Sequence, residues 1–163
     1  MNPVVFDGTM SDTLHQRFMS LAMESAERAA SLGEVPVGAI VVRDRQVIAA
    51  GHNLRECDQD PTAHAEMVAI RAAARALGSW RLTGCVLYVT LEPCAMCAGA
   101  MVLARISGCV YGCSDPKGGY LGSLGDLSSV PGLNHHFDVV SGVRAEECSH
   151  QLRSFFRALR RRK

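Results

Sequence analysis

Two short polar clusters place the strongest constraint on how this chain folds. If they bind a metal, they must bind it together. The first is His64-Ala65-Glu66, and the second is Pro93-Cys94-Ala95-Met96-Cys97. Together they offer one imidazole, two thiols and one carboxylate, which are the groups found in hydrolytic zinc centres. A chain that uses both clusters must therefore bring two distant segments to one point.

The number of ligands predicts a catalytic rather than a structural metal. Structural zinc sites normally have four protein ligands, whereas His64, Cys94 and Cys97 supply three and leave one position for water. Zinc lowers the pKa of such a water to about 7, which makes a hydroxide nucleophile available at neutral pH. Glu66 is then placed to transfer protons. These residues predict an enzyme that adds water to an electrophilic carbon.

The spacing within each cluster predicts that both lie at helix N-termini. Residues two apart on a helix point about 200° away from each other, so His64 and Glu66 reach one site only from the first turn. Pro61-Thr62 is a typical helix start and places both residues there. The two cysteines are one turn apart and directly follow a proline. Because helix N-termini carry partial positive charge, they favour the thiolate form of both cysteines.

Other interpretations of the metal-ligand pattern remain open from these residues alone. A Cys-x-x-Cys motif also occurs in redox pairs and as half of a structural zinc site. A structural site needs a fourth protein ligand, for which His52 and Cys85 are candidates. Neither residue shares the predicted helix-end arrangement, so we favour the catalytic metal.

Length and composition indicate one globular domain over 1–163. The chain has 163 residues, of which 48% are apolar and 20% charged, as in ordinary globular proteins. It has no apolar run as long as a membrane span and no signal-peptide pattern. Seven cysteines, two of them in the Cys-x-x-Cys motif, fit metal binding in a reducing cytoplasm better than a disulfide framework.

The basic residues are concentrated at the C-terminus, although the formal net charge is only +1. Six of the 17 Lys and Arg residues lie in 153–163, with no acidic residue among them. On the predicted C-terminal helix they lie opposite an apolar stripe made of Leu152, Phe155, Phe156 and Leu159. This basic face suits phosphate contacts, and it is equally typical of a solvated helix surface.

Hydrophobic periodicity and turn residues predict an α/β fold, with helices layered on a mixed sheet. The small residues on the third predicted helix, over 94–105, are explained by burial against the sheet. The predicted elements are, in order, a helix over 12–32, a hairpin of strands 37–43 and 46–53, a loop over 55–60, a helix from Pro61-Thr62 to near Gly78, a strand over 86–90, a helix over 94–105, a strand over 109–112, a glycine-rich loop over 114–125, a strand over 138–143 and a helix over 145–160.

Longer segments around the two clusters carry a resemblance to a known family. His-x-Glu followed by Pro-Cys-x-x-Cys is the signature of zinc-dependent nucleoside and nucleobase deaminases. Six segments resemble the bacterial tRNA-specific adenosine deaminases of the cytidine and deoxycytidylate deaminase superfamily: Glu34–Ala39, Asp60–Glu66, Leu87–Met101, Asp115–Gly119, Asn134-His135 and Phe155–Arg157. The similarity covers roughly 12–160. It departs at Tyr120-Leu121, where small residues are common in the family, and Met1 to Ser11 has no clear counterpart.

The resemblance implies a three-layer α/β/α fold of the cytidine-deaminase type around a five-stranded mixed sheet. It implies a cytoplasmic homodimer with one zinc ion per subunit. The implied reaction converts adenosine to inosine at the wobble position of a tRNA anticodon, with an arginine tRNA bearing the anticodon ACG as the expected substrate. The expected partner is the tRNA anticodon arm, and neither DNA nor a membrane is expected to bind.

The resemblance also implies roles for individual residues. His64, Cys94 and Cys97 match the zinc ligands, and Glu66 matches the proton shuttle. Asn53 matches a residue that holds the substrate nucleoside. Asp115 would supply a carboxylate near the pocket mouth, where it would accept a hydrogen bond from a 2′-hydroxyl and so favour RNA over DNA. The further residues expected to contact substrate are Ala65, Asp115, Phe156 and Arg157.

Two other functions are compatible with parts of this pattern. A deaminase of free guanine, cytosine or a nucleotide would use the same metal site but would have no use for a basic C-terminal helix. A non-catalytic, zinc-stabilised RNA-binding subunit would need the metal and the basic helix but not a proton shuttle such as Glu66. Measuring which base releases ammonia, if any does, distinguishes the tRNA deaminase, the free-base or nucleotide deaminase and the non-catalytic subunit.

Overall fold

A computed structural model describes residues 12–162 and contains a five-stranded mixed sheet. The strands lie in the order β2-β1-β3-β4-β5. β1 is antiparallel to both β2 and β3, whereas β3, β4 and β5 run parallel, as the predicted mixed sheet requires. The N-terminal segment Met1 to Ser11 lies outside the described residues. The strand bounds are β1 (Gly38–Arg43), β2 (Gln46–His52), β3 (Cys85–Leu91), β4 (Gly108–Cys113) and β5 (Asp138–Val140).

Helices cover both faces of the sheet and give the expected three-layer α/β/α architecture. α1 and α5 pack on one face, over a core that includes Met19, Ile40 and Tyr88. α3 and α4 cover the other face. Within residues 12–162, no helix has the length and hydropathy needed to span a bilayer. The helix bounds are α1 (Asp12–Ser31), α2 (Arg55–Asp58), α3 (Ala65–Leu77), α4 (Ala95–Leu103) and α5 (Ala145–Arg161).

The central strands are apolar on both faces because both faces are covered. In β1, Ala39 and Val41 belong to the core beneath α3 and α4, whereas Ile40 and Val42 belong to the core beneath α1 and α5. Successive side chains of a strand point to opposite faces, so a doubly covered strand reads as a continuous apolar run. This explains why these strands are evident from sequence.

The predicted hairpin is confirmed, and its turn has the expected length. Asp44 and Arg45 connect β1 to β2 with φ angles of 51° and 62°. Two consecutive residues at positive φ match the twist of antiparallel strands, as in the common two-residue hairpin turns. The hairpin places β2 at the sheet edge, next to α3.

Three predicted boundaries are wrong. The segment predicted as a loop over 55–60 contains the short helix α2, which ends at Gln59 in the left-handed conformation. α3 begins at Ala65 rather than at Pro61-Thr62, because Asp60 Oδ1 accepts hydrogen bonds from Thr62 N and Oγ1 and holds those residues in a turn. The last strand ends at Val140 instead of 143, and Gly142 turns the chain away with a φ of 82°.

Candidate active site

His64, Cys94 and Cys97 meet at the N-termini of two helices. His64 is the N-cap of α3, Cys94 is the N-cap of α4, and Cys97 lies in the first turn of α4. His64 Nδ1 lies 3.6 Å from the Sγ atom of each cysteine. In a tetrahedral site with Zn–S of about 2.3 Å and Zn–N of about 2.05 Å, nitrogen and sulfur are separated by about 3.6 Å. The donor set and its spacing therefore fit a zinc ion.

Both N-cap side chains are directed to the cluster instead of capping their own helices. The backbones of His64 and Cys94 are extended, and neither side chain makes a cap hydrogen bond, although this is the usual role of an N-cap residue. Hydrogen bonds with the Cys97 thiol and with His64 lower the pKa of Cys94 to about 4. The candidate fourth ligands His52 and Cys85 are not part of this cluster in the described part of the chain.

Glu66 lies in the first turn of the helix that begins after His64, as its spacing from His64 predicts. It is the second residue of α3, and only 4% of its surface is exposed. Burial raises the pKa of the Glu66 carboxyl to about 7. A carboxyl that titrates near neutrality both accepts and releases protons at physiological pH. This is the chemistry required of a group that moves protons between water and a substrate.

A cavity of about 270 Å³ opens next to the cluster. Its volume lies at the small end of the range for small-molecule sites. The cavity combines one metal ligand from each helix end with the Glu66 carboxylate and a ring of apolar and polar side chains. Its lining residues are Val35, Val37, Asn53, Arg55, His64, Ala65, Glu66, Leu91, Glu92, Cys94, Asp115 and Phe156.

Four of the five predicted substrate contacts line this cavity, namely Asn53, Ala65, Asp115 and Phe156. The Asn53 side chain is held by the backbone, since Nδ2 donates to Val35 O at 3.4 Å and Oδ1 accepts from Arg55 N at 3.3 Å. Asp115 Oδ1 accepts hydrogen bonds from two backbone N–H groups of its own loop, at Lys117 and Gly118.

Arg157 lies outside the cavity, contrary to its grouping with the pocket contacts. It lines an adjacent groove along α5 together with Arg153 and Arg160. Phe156 lines both the cavity and the groove, and 40% of its surface is exposed. The two concavities are therefore continuous around one aromatic ring, with basic side chains beyond it.

Burial bears on two further features of the sequence, the Tyr120-Leu121 pair and the small residues of α4. Leu121 is only 4% exposed and packs in the core with Tyr120 against it, and neither residue lines the cavity. Burial against the sheet accounts for Ala98 of α4, which is fully buried. It does not account for Gly99, because a Cβ added there would meet nothing within 4 Å.

Several lining residues were not predicted from the sequence. Val35 and Val37 precede β1, and Leu91 ends β3, so nothing in their apolar character distinguishes them from core residues. Glu92 had a usable signal, because a carboxylate directly after an apolar strand must either reach solvent or find donors. Arg55 gave none, since it lies among polar residues in a segment predicted to be a loop.

Comparison with known proteins agrees with this geometry. The sequence model described as "Cytidine and deoxycytidylate deaminase zinc-binding region" matches residues 12–113. The tRNA-specific adenosine deaminase of Bacillus subtilis (strain 168) is 51% identical over 151 residues, which cover 93% of this chain and 94% of that protein.

Solved structures give the same picture. A structure from a study of A-to-I editing by tRNA:A34 deaminases at the wobble position superposes with a TM-score of 0.80 at 47% identity, covering 83% of this chain and 99% of that one. A guanine deaminase from Bacillus subtilis reaches a TM-score of 0.59 at 40% identity, over 61% of this chain and 64% of its own. From the extent of these matches, the chain belongs to the zinc-binding cytidine and deoxycytidylate deaminase family, in the group of tRNA-specific adenosine deaminases.

Proposed function

We propose that this protein hydrolyses adenosine to inosine and ammonia at the wobble position of a tRNA anticodon, with an arginine tRNA bearing the anticodon ACG as substrate. The observation that carries the proposal is the three-donor cluster of His64, Cys94 and Cys97 beside the buried Glu66, at the floor of a nucleoside-sized cavity. The adjacent basic groove on α5 supports an RNA substrate over a free base.

In the proposed mechanism, the chain's own residues hold the metal and move protons. His64, Cys94 and Cys97 would hold one zinc ion per subunit, and that ion would supply a water of lowered pKa as the nucleophile for C6 of adenine. The Glu66 carboxylate takes up the two protons of the attacking water one after the other, and it delivers the first to the ring nitrogen and the second to the departing amine. Water adds its oxygen to C6, the C–N bond to the exocyclic nitrogen breaks, and ammonia leaves. General acid–base catalysis of this kind contributes about 10²–10⁴-fold.

The remaining lining residues bind and orient the nucleotide. Asn53 offers a donor and an acceptor to the ribose or to a base edge, and Ala65 bounds the space for the base. Phe156 lies at the mouth, where an aromatic face can stack on a flanking base. Asp115 is placed to accept a hydrogen bond from a 2′-hydroxyl. Arg157, in the groove beyond Phe156, contacts the phosphate backbone.

The substrate must present an unpaired adenine. A base stacked within a duplex cannot enter a cavity of this size, so deaminases act on loops or on everted nucleotides. An anticodon loop meets this requirement, since RNA-binding proteins read sequence mainly in single-stranded loops.

The test uses purified protein and an arginine tRNA with an ACG anticodon, followed by analysis of the wobble position for inosine. Wild-type protein is expected to convert this adenosine. Glu66→Ala is the matched control, which we expect to retain zinc and to lose about 10²–10⁴-fold in turnover. Full activity of Glu66→Ala would remove the proposed proton shuttle.

Deamination of free guanine is the alternative function, and the superposition with a guanine deaminase favours testing it. Ammonia release from guanine or cytosine, with no inosine in tRNA, would establish that alternative. A protein that binds zinc and tRNA but deaminates neither substrate would instead be an RNA-binding subunit.

The proposal includes a cytoplasmic homodimer built from one domain per chain. Its support is the exposed small and apolar face of α4, where Leu103 is 72% exposed and Gly99 faces open space. Sedimentation equilibrium of the wild type is expected to give twice the chain mass, and Leu103→Glu to shift it toward the monomer. The cytoplasmic location follows from the need to keep both thiol ligands reduced.

A further inference from the structure

The carboxylate of Glu92 is buried at the end of β3, two positions before the ligand Cys94, and the mechanism above does not use it. Only 2% of its surface is exposed. A buried carboxylate is strongly unfavourable unless hydrogen-bond donors surround it. Glu92 therefore needs partners.

Within residues 12–162, all of the hydrogen bonds to the Glu92 carboxylate come from a single loop, the glycine-rich segment 114–125. Oε1 accepts from the backbone N–H of Leu121 at 3.1 Å and of Ser123 at 2.9 Å. Oε2 accepts from the backbone N–H of Asp115 at 2.9 Å and from the Ser123 hydroxyl at 2.5 Å. Each carboxylate oxygen thus holds two donors, and the donors span the length of the loop.

The same loop is docked on the segment that leads to the metal ligand. Tyr120 N donates to Pro93 O at 2.9 Å, and Gly119 pairs with Cys94 in an isolated β-bridge. A Cβ added to Gly119 would collide with the Glu92 carboxylate. The loop therefore lies directly against residues 92–94, and a glycine allows the close approach.

We propose that Glu92 is a positioning residue, which fixes the 114–125 loop and thereby holds Asp115 at the mouth of the substrate cavity. The inference rests on the proposed function, in which Asp115 contacts the sugar of the target nucleotide. Glu92 accepts a hydrogen bond from the backbone N–H of Asp115 itself, so the carboxylate fixes the position of the Asp115 backbone. It acts on substrate affinity and on the preference for RNA, and not on the proton transfers of Glu66.

Glu92→Gln tests the proposal with almost no change in shape. A side-chain amide has one acceptor oxygen and one NH₂ donor. If the amide oxygen still accepts hydrogen bonds from Leu121 N and Ser123 N, the NH₂ group faces Asp115 N and the Ser123 hydroxyl. The hydroxyl can rotate and accept, but the Asp115 N–H loses its acceptor. The substitution is thus directed at the link between Glu92 and Asp115.

The readouts are amide hydrogen exchange, zinc content, and kinetics on an anticodon stem-loop with a ribose or a 2′-deoxyribose at the target. For Glu92→Gln we expect faster exchange at 115–123, unchanged zinc content and a KM on RNA raised about tenfold, since a hydrogen bond to a charged group is lost. We also expect a smaller ratio between the two substrates and a kcat within about threefold of wild type. Ser129→Ala, in an exposed position outside the loop, is the control and should match the wild type.

An unchanged KM and substrate ratio with faster loop exchange would overturn the proposal, and so would a loss of zinc. If Glu92→Gln does not fold, Ser123→Ala removes a single one of the four hydrogen bonds and should still raise KM about twofold; no rise would overturn the inference. Absence of deamination by the wild type would instead overturn the proposed function, while hydrogen exchange would still report whether Glu92 holds the Asp115 loop.

Discussion

At the scale of the residue, the buried side chains of Glu66, Glu92 and His15 each have a different environment. Glu66 is enclosed at a helix N-terminus, and its pKa rises to about 7 through burial. Glu92 is surrounded by four donors from one loop. His15 is 4% exposed and its Nδ1 lies 3.0 Å from the hydroxyl of Tyr88, far from the cavity. Environment, not residue type, distinguishes the protonation behaviour proposed for Glu66 from the structural role proposed for Glu92.

His15 predicts a pH dependence of folding stability. Burial lowers the pKa of His15 despite the nearby Asp12, so the fold favours neutral imidazole. The unfolded chain takes up a proton below pH 6.5, the ordinary pKa of histidine. The stability that neutral His15 contributes is therefore complete above pH 6.5 and is lost as the pH falls. Denaturant unfolding should show a destabilisation by His15→Gln that is largest at pH 7.5 and smaller at pH 5.

The matched control for this prediction is His150→Gln, at an exposed position of α5. Subtracting the two variants removes the general effect of acid on the carboxylates. A destabilisation by His15→Gln that grows as the pH falls would contradict the predicted sign.

At the scale of the element, α1 and α3 pack on opposite faces of the β1–β2 hairpin, and each approaches it closely at a glycine. A Cβ on Gly51 of β2 would lie 2.5 Å from Ala65 O and 2.6 Å from Ala69 N in α3. A Cβ on Gly38 of β1 would likewise collide with the backbone of α1, on the opposite face. Because Ala65 lies between His64 and Glu66, the contact at Gly51 sets the height above the sheet of the helix end that carries both residues.

Gly51→Ala and Gly38→Ala form a matched pair of predictions. Each inserts one methyl group against a helix backbone, so each should cost about 1–3 kcal/mol of unfolding free energy. Only Gly51→Ala should also weaken zinc binding, since it displaces the helix that carries His64. Denaturant unfolding and competitive zinc titration measure the two effects. Equal zinc affinities in both variants would show that α3 is not held by this contact.

The basic face of α5 predicts salt-dependent binding. For a single-stranded RNA, log affinity falls with log salt by about 0.7 per phosphate contacted. Arg157→Gln and Arg160→Gln, which lie along the groove next to Phe156, should each reduce that slope. Arg28→Gln, on α1, is the control for net charge. A KM on tRNA that does not change with salt would identify the basic face as a solvated surface.

At the scale of the whole molecule, the site exists only because the sheet brings two helix N-termini together. α3 follows the edge strand β2 in the chain, and α4 follows the central strand β3. Even so, His64 Nδ1 lies 3.6 Å from the Sγ atoms of both Cys94 and Cys97. A metal held there links two elements that are separate in the chain. Binding to the folded state alone shifts the folding equilibrium toward it.

Zinc removal should therefore lower the melting temperature. With free zinc at 100 times its dissociation constant, one site contributes about 2.7 kcal/mol to unfolding. Thermal melts with and without a chelator measure this difference, and added zinc should restore it. His64→Ala is expected to melt at the same temperature in both conditions. A melting temperature of the wild type that does not respond to the chelator would exclude a site built from these helix ends.

The amino-acid sequence by itself determined the layers and the candidate metal-ligand set. Apolar runs define doubly covered strands, helical periodicity defines one buried face per helix, and the spacing of His64, Cys94 and Cys97 restricts them to helix ends. These are local patterns, so they are readable without coordinates. The start of α3 was misplaced because the Asp60 turn competes with the helix for Pro61-Thr62.

Only the tertiary structure decided which side chains share the cavity. Phe156 and Arg157 both line the groove on α5, but only Phe156 also lines the cavity, since neighbouring positions on a helix point in different directions. Glu92 and the loop that carries Asp115 meet through hydrogen bonds across 23 to 31 positions of sequence. Such long-range contacts depend on the packing of the sheet and the loop together, and no local pattern of residues encodes them.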